Sequence, residues 1–132
     1  MKLKKYLRKM NREEFEQYLI SIGGVYNWKG LNSTNPSMFG VGEGWFGLLK
    51  NIIDELLVMG WDRHMILSKE KFGGLNFYAK NSTSEMQDVI LKYERLSYKT
   101  CEKCGEEGSV RKGDWIKTLC DVHAEGREKY IK

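Results

Sequence analysis

Apolar residues recur at helical spacing in three stretches of the chain. Phe15, Tyr18, Leu19 and Ile22 share one face of a helix predicted over about 11–22. Asn11 and Glu14 have the form of a capping box at its start, and Gly23-Gly24 stop it. Trp45, Leu48, Leu49, Ile52, Ile53, Leu56 and Leu57 make 44–59 the most apolar helix, with Gly60 as terminator. Met86, Val89, Ile90, Tyr93 and Leu96 mark a third helix over 84–98, introduced by Ser82-Thr83-Ser84-Glu85, a second capping box. Between the second and third helices the period shortens. Residues 64–71 begin extended and apolar, Phe72-Gly73-Gly74 provide a turn, and Leu75-Asn76-Phe77-Tyr78 alternate, which predicts a hairpin over 64–79. Residues 25–43, rich in Gly, Asn and Ser around Pro36, read as a long loop, and a loop of that length is functional or mobile.

This order predicts an α+β fold, a small helix and β-hairpin domain over 1–99. A cysteine-bearing segment, 100–132, follows without a linker and is expected to pack on that domain. A hydrophobic content of 41% with 12% aromatics suffices for a core and excludes wholesale disorder. The net charge of +4 is too small to identify an acidic partner. Its distribution says more, since Lys2, Lys4, Lys5, Arg8 and Lys9 crowd the first ten residues, a tip read first as a solvated helix or frayed tail and second as a contact for phosphate or an anionic membrane. The start MKLKKYLRKM lacks the apolar stretch of a secretory signal, and no apolar run is long enough to span a membrane. With three cysteines inside one ligand pattern, a cytoplasmic location is expected.

That pattern is Cys101-x2-Cys104, then Cys120-x2-His123. Two residues between ligands allow both thiolates of a tight turn to reach one ion, and Gly105 suits the turn. Three sulfurs and an imidazole are the donor set of structural zinc, and all four positions are filled by protein, which leaves none for a catalytic water. Short strands are expected near Ser109–Arg111 and Trp115–Leu119 around a turn at Lys112-Gly113-Asp114. Residues 121–132 read as helical, placing His123 in a first turn. Knuckle, hairpin and helix in that order predict a treble-clef-like zinc finger.

No pair of carboxylates and no free cysteine suggests acid–base or nucleophilic catalysis, so a non-enzymatic protein is expected. The hairpin is the other candidate site. Lys69, Lys71, Phe72 and Tyr78 interleave cations with aromatic rings around Gly73 and Gly74, whose backbone suits close approach to a ligand. Arg63 and His64, at the start of the hairpin, complete this candidate ligand-binding set.

Several of these segments together resemble a group of small, mostly uncharacterised proteins of phage and bacterial genomes. They are Gly44-Trp45, Lys69-Glu70-Lys71-Phe72-Gly73-Gly74-Leu75 with Phe77-Tyr78, Thr100-Cys101-x2-Cys104-Gly105, and Trp115-x2-Thr118-Leu119-Cys120-x2-His123. The resemblance covers about 42–123 and implies a phage-type accessory protein with a C-terminal zinc finger, acting in the host cytoplasm. It carries no catalytic residues, and relatives often have arginine where this chain has Asn76. Three functions are then open. One is a counter-defence protein, expected as a homo-oligomer, that sequesters a small anionic ligand such as a cyclic nucleotide immune signal. Another is a nucleic-acid-binding module using Lys2 to Lys9, Arg111, Lys112 and Lys117. The last is a protein–protein inhibitor of a host factor.

Overall fold

A computed structural model describes residues 9–130 of the chain. The basic cluster at Lys2, Lys4, Lys5 and Arg8 lies outside these residues. Helix α1 (Arg12–Ser21) is followed by a minimal hairpin of β1 (Val25–Tyr26) and β2 (Asn32–Ser33), then by 3-10 turns at Pro36–Phe39 and Glu43–Trp45. Helix α2 (Phe46–Val58), strands β3 (Met65–Lys71) and β4 (Gly74–Ala79), helix α3 (Ser84–Ser97), and the short strands β5 (Ser109–Arg111) and β6 (Lys117–Leu119) complete the order. Each strand pair is antiparallel and two-stranded.

The capping box at Asn11 and Glu14 is formed, with each side chain bonded to the other residue's backbone amide. At α3 the cap is Thr83, whose hydroxyl accepts from the Met86 amide, one residue beyond the start expected from Ser82. Helix α2 is the centre of the molecule. Leu48, Leu49, Ile52, Ile53 and Leu56 are buried, with α1 contributing Phe15 and Leu19, and α3 contributing Met86, Val89, Ile90 and Tyr93. Phe15 stacks on Phe46 at 4.6 Å between ring centroids and meets Phe39 at 5.2 Å. Phe39 belongs to the segment 25–43 read as loop. That segment instead holds β1, β2 and a 3-10 turn, and buries Val25 and Pro36 as well. Strands of two residues are too short to show an alternating pattern, so sequence periodicity passes over them.

The β3–β4 hairpin turns on Phe72 and Gly73, both at positive φ. Its inner residues Met65, Leu75, Phe77 and Ala79 join the core, while Leu67, Lys69, Lys71 and Tyr78 are exposed. The β4 amides of Leu75 and Phe77 donate to Ser97 Oγ and Glu94 Oε2 on α3, both at 2.9 Å. Helix α3 thereby caps an edge that would otherwise invite pairing with another chain. Burial raises the Glu94 carboxyl above its usual range, against the Phe77 amide bond that lowers it.

Gly74 lies where the hairpin crosses the end of α3. A Cβ there would stand 2.3 Å from Tyr98 Cζ. Gly74→Ala is expected to destabilise by about 1–3 kcal/mol through overpacking, and Gly74→Ala with Tyr98→Ala to recover part of the loss. Urea denaturation of both variants checks this, and an unchanged midpoint for the single variant would refute the contact.

Candidate metal centre and ligand face

Residues 101–105 form the first ligand turn. The Gly105 amide donates to Cys101 O at 2.9 Å and the Cys101 amide to Glu106 O at 2.8 Å. Strands β5 and β6 follow, in register from Ser109↔Leu119 to Arg111↔Lys117, and deliver Cys120. The helix expected over 121–132 is not formed among the described residues. Residues 121–130 run through turns to a bridge between Arg111 and Lys129. Glu125 and Gly126 both take positive φ, which halts a right-handed helix. The Lys112 amide then donates to Glu128 O and the Tyr130 amide to Val110 O, so the segment pairs beside β5. His123 therefore sits in a turn, and the arrangement departs from a treble clef after its hairpin.

The ligand atoms of Cys101, Cys104, Cys120 and His123 all lie within 4.8 Å of one another and are positioned to hold a metal ion. Cys104 Sγ is 3.7 Å from Cys120 Sγ. His123 presents Nδ1, at 3.2 Å from Cys120 Sγ and 3.8 Å from Cys101 Sγ. A regular tetrahedron with metal–sulfur bonds of about 2.3 Å and a metal–nitrogen bond of about 2.0 Å separates sulfurs by about 3.8 Å, and sulfur from nitrogen by about 3.5 Å. The cage fits.

Without a cation the cage is electrostatically conflicted. Burial, together with the neighbouring thiols of Cys120 and Cys101, pushes Cys104 up to about 12. Burial also acts to raise Cys120, but hydrogen bonds from the His123 backbone and ring, and from the other two thiols, bring it down to about 6. A divalent cation binds the deprotonated sulfurs and removes the conflict.

The two strands of the finger supply a brace. The Arg111 side chain, only 6% exposed, donates from Nε to Leu119 O at 3.1 Å and from Nη2 to Asp121 Oδ1 at 2.8 Å. These partners are the residues on either side of Cys120. The bond from Arg111, aided by the charges of Lys129 and Arg111, holds the Asp121 carboxyl below its usual range. Sequence reading had placed Arg111 on a basic outer surface. The alternation that turns it inward is visible only once β5 and β6 are paired.

The finger is clasped to the domain by two segments distant in sequence, 42–45 and 70–73. Gly44 approaches so closely that a Cβ there would stand 2.0 Å from Cys101 O, and its amide donates to Glu102 O at 2.7 Å. Trp45 Nε1 donates to Thr100 O at 2.8 Å. Lys117 Nζ lies 3.4 Å from both Glu70 Oε1 and Glu102 Oε1. Glu102 Oε2 accepts from the Gly42 amide, and Thr118 Oγ1 donates to Gly73 O at 2.6 Å.

The candidate ligand residues separate into two groups. Arg63 Nη1 donates to Gly23 O and Gly24 O, both at 2.7 Å, and its guanidinium stands over the Tyr26 ring. His64 stacks on the same Tyr26 ring, at 4.5 Å between centroids and 9° between planes. Both are committed to holding α1 and β1. About 25 Å of extended strand separates them from Lys71. The double glycine is also spoken for, since Gly74 faces Tyr98 and Gly73 faces Ile116 and Thr118. Lys69, Lys71, Phe72 and Tyr78 remain exposed. Lys71 Nζ is 5.9 Å from the Phe72 ring centroid, and neither lysine pairs with a carboxylate among the described residues.

Two clefts lie elsewhere. One of about 540 Å³ has Glu13 and Glu14 in its wall. The other, about 380 Å³, opens beside His123 and sets Lys103, Lys117 and Arg127 against Glu102 and Glu125. A metal held by three thiolates adds a net charge of about −1 there, which leaves no field for an anion.

The chain matches no family model, and comparisons with curated proteins and with solved structures likewise give no match.

Two outcomes test the centre. Because the folded Cys120 thiol lies below its ordinary 9.0, its share of stability is full above that value and is lost as pH falls through about 6. Protons compete with the metal for the three thiolates and the imidazole, so metal retention, followed with a chromogenic chelator, is expected to fall as pH is lowered. Arg111→Ala is expected to speed metal release about 10- to 100-fold, with Arg111→Lys between it and the native chain. Equal release rates would remove the bracing role.

Proposed function

We propose that this is a non-enzymatic, phage-type accessory protein in which a structural zinc ion, held by Cys101, Cys104, Cys120 and His123, fixes a finger against the domain. The outer face of the β3–β4 hairpin then receives an anionic ligand of nucleotide chemistry. Zinc is favoured over other ions by a closed tetrahedral set of three thiolates and an imidazole.

The observation that carries the ligand reading is the charge of that face. Glu70 is the sole carboxylate in residues 64–79. It is turned away towards Lys117 and the Gly73 amide. Lys69 and Lys71 are left unopposed beside the exposed Phe72 and Tyr78 rings. Unpaired cations attract phosphate, and exposed rings stack on bases. The exposed residues extend along β3 from Lys69 to the Phe72 turn and across to Tyr78 on β4, an extent that favours a single strand of nucleic acid over a small ligand. The basic surface expected on the finger lends little to this. Arg111 is buried, Lys117 is paired with Glu70 and Glu102, Lys9 pairs with Glu106, and Lys112 lies 4.0 Å from Glu128.

A cyclic nucleotide is the second reading. An open face is closed by a second copy of the chain, as a symmetric oligomer requires, and the motif resemblance to phage proteins favours a counter-defence role. Native mass spectrometry with a panel of cyclic di- and trinucleotides tests it, and monomeric protein without retained nucleotide would dispose of it.

For the first reading, Lys69→Glu with Lys71→Glu is expected to weaken binding of a single-stranded oligonucleotide at least about 10-fold. It should also flatten the dependence of log K on log salt by about 1.4, at roughly 0.7 per lysine. Fluorescence anisotropy across a salt series measures both. An unchanged slope would show that the hairpin does not contact phosphate.

A further inference from the structure

The hairpin tip does not end in solvent; it abuts the finger. Gly73 packs against Ile116 and Thr118, and the Thr118 hydroxyl donates to Gly73 O. One residue before each side of this contact stands a large ring. Phe72 is 70% exposed and Trp115 is 75% exposed. Both rings are therefore open to solvent on either side of one junction. The backbone is constrained at both: Phe72 lies in the two-residue turn at positive φ, and the Trp115 carbonyl accepts from Arg127 Nη1.

The cations around the junction complete the pattern. Lys71 lies over the Phe72 ring, and Arg127 approaches the 113–115 turn. Asp114 is the one carboxylate within that turn, and its neighbours in the chain include Lys112. The rings come from segments 43 positions apart in the chain, each next to the residues through which the hairpin tip and the finger touch.

We infer that Trp115 is a second stacking residue, so that a single-stranded polynucleotide runs from the hairpin face across the junction onto the finger. This rests on the hairpin reading above and extends it to a ligand longer than a mononucleotide. Each ring accepts a base face, and Lys69, Lys71 and Arg127 follow the phosphates. The finger then has a role in recognition besides its structural one, and the metal sets the spacing between the two rings.

The test uses the full-length, metal-loaded chain and labelled oligo(dT) of about 4 and about 16 nucleotides. Trp115→Ala is expected to weaken binding of the longer oligonucleotide about 5- to 150-fold, with Trp115→Phe retaining most of the affinity. Trp28→Ala, which removes a ring 71% exposed on the β1–β2 tip, serves as the control and should change nothing. Metal content and melting midpoint of Trp115→Ala establish that it folds. If Trp115→Ala binds both lengths as the native chain does while Lys69→Glu with Lys71→Glu does not, the extension is overturned and the hairpin reading stands. If neither length binds the native chain, both are overturned.

Discussion

Lys117 stands between two carboxylates, Glu70 on the hairpin and Glu102 inside the first ligand turn, and this bridge summarises how the molecule is joined. Each of the three groups comes from a different element. Glu70 is 20% exposed and Glu102 10%, so neither carboxylate is well solvated, and a lone charge in either place would be costly. Around it lie the bonds of Gly42, Gly44, Trp45, Thr100 and Thr118. The finger has only a small apolar cluster of its own, built from Leu119 and its cysteines. Polar closure and a metal cage therefore do for the C-terminal segment what the α2-centred core does for the rest.

The four motif segments, Gly44-Trp45, 69–78, 100–105 and 115–123, meet at this junction. Gly44-Trp45 reaches Thr100, Cys101 and Glu102; Glu70 and Gly73 reach Lys117 and Thr118. Much of the motif is explained by assembly of the fold rather than by chemistry at a ligand. Lys69, Lys71, Phe72, Tyr78 and Trp115 are what the junction leaves unused, and these are the residues on which the functional proposal rests.

The three helices, the β3–β4 hairpin and the four metal ligands were legible in the sequence, because each rests on a local signal. Period 3.6 marks α2, a capping box marks α1, and paired CxxC and CxxH spacings mark the cage. What escaped depends on contacts between distant residues. Nothing local says that Arg111 turns inward, that Arg63 caps α1, or that Gly74 makes room for Tyr98 instead of a ligand. The expected terminal helix failed for a different reason. The polar run after Cys120 suits a helix by composition, but pairing of Lys112 and Val110 with Glu128 and Tyr130 wins over that weak preference.

Gly44 has no room for even one methyl group, since the carbonyl of Cys101 occupies the place. Divergent descendants of such a chain are free to exchange the surface lysines or to lengthen the β1–β2 tip. Any side chain at position 44, by contrast, must be matched by a displaced ligand turn. Drift at that glycine and at the ligand turn is therefore bound together, and sequences sharing this architecture should vary most where the finger is not touched.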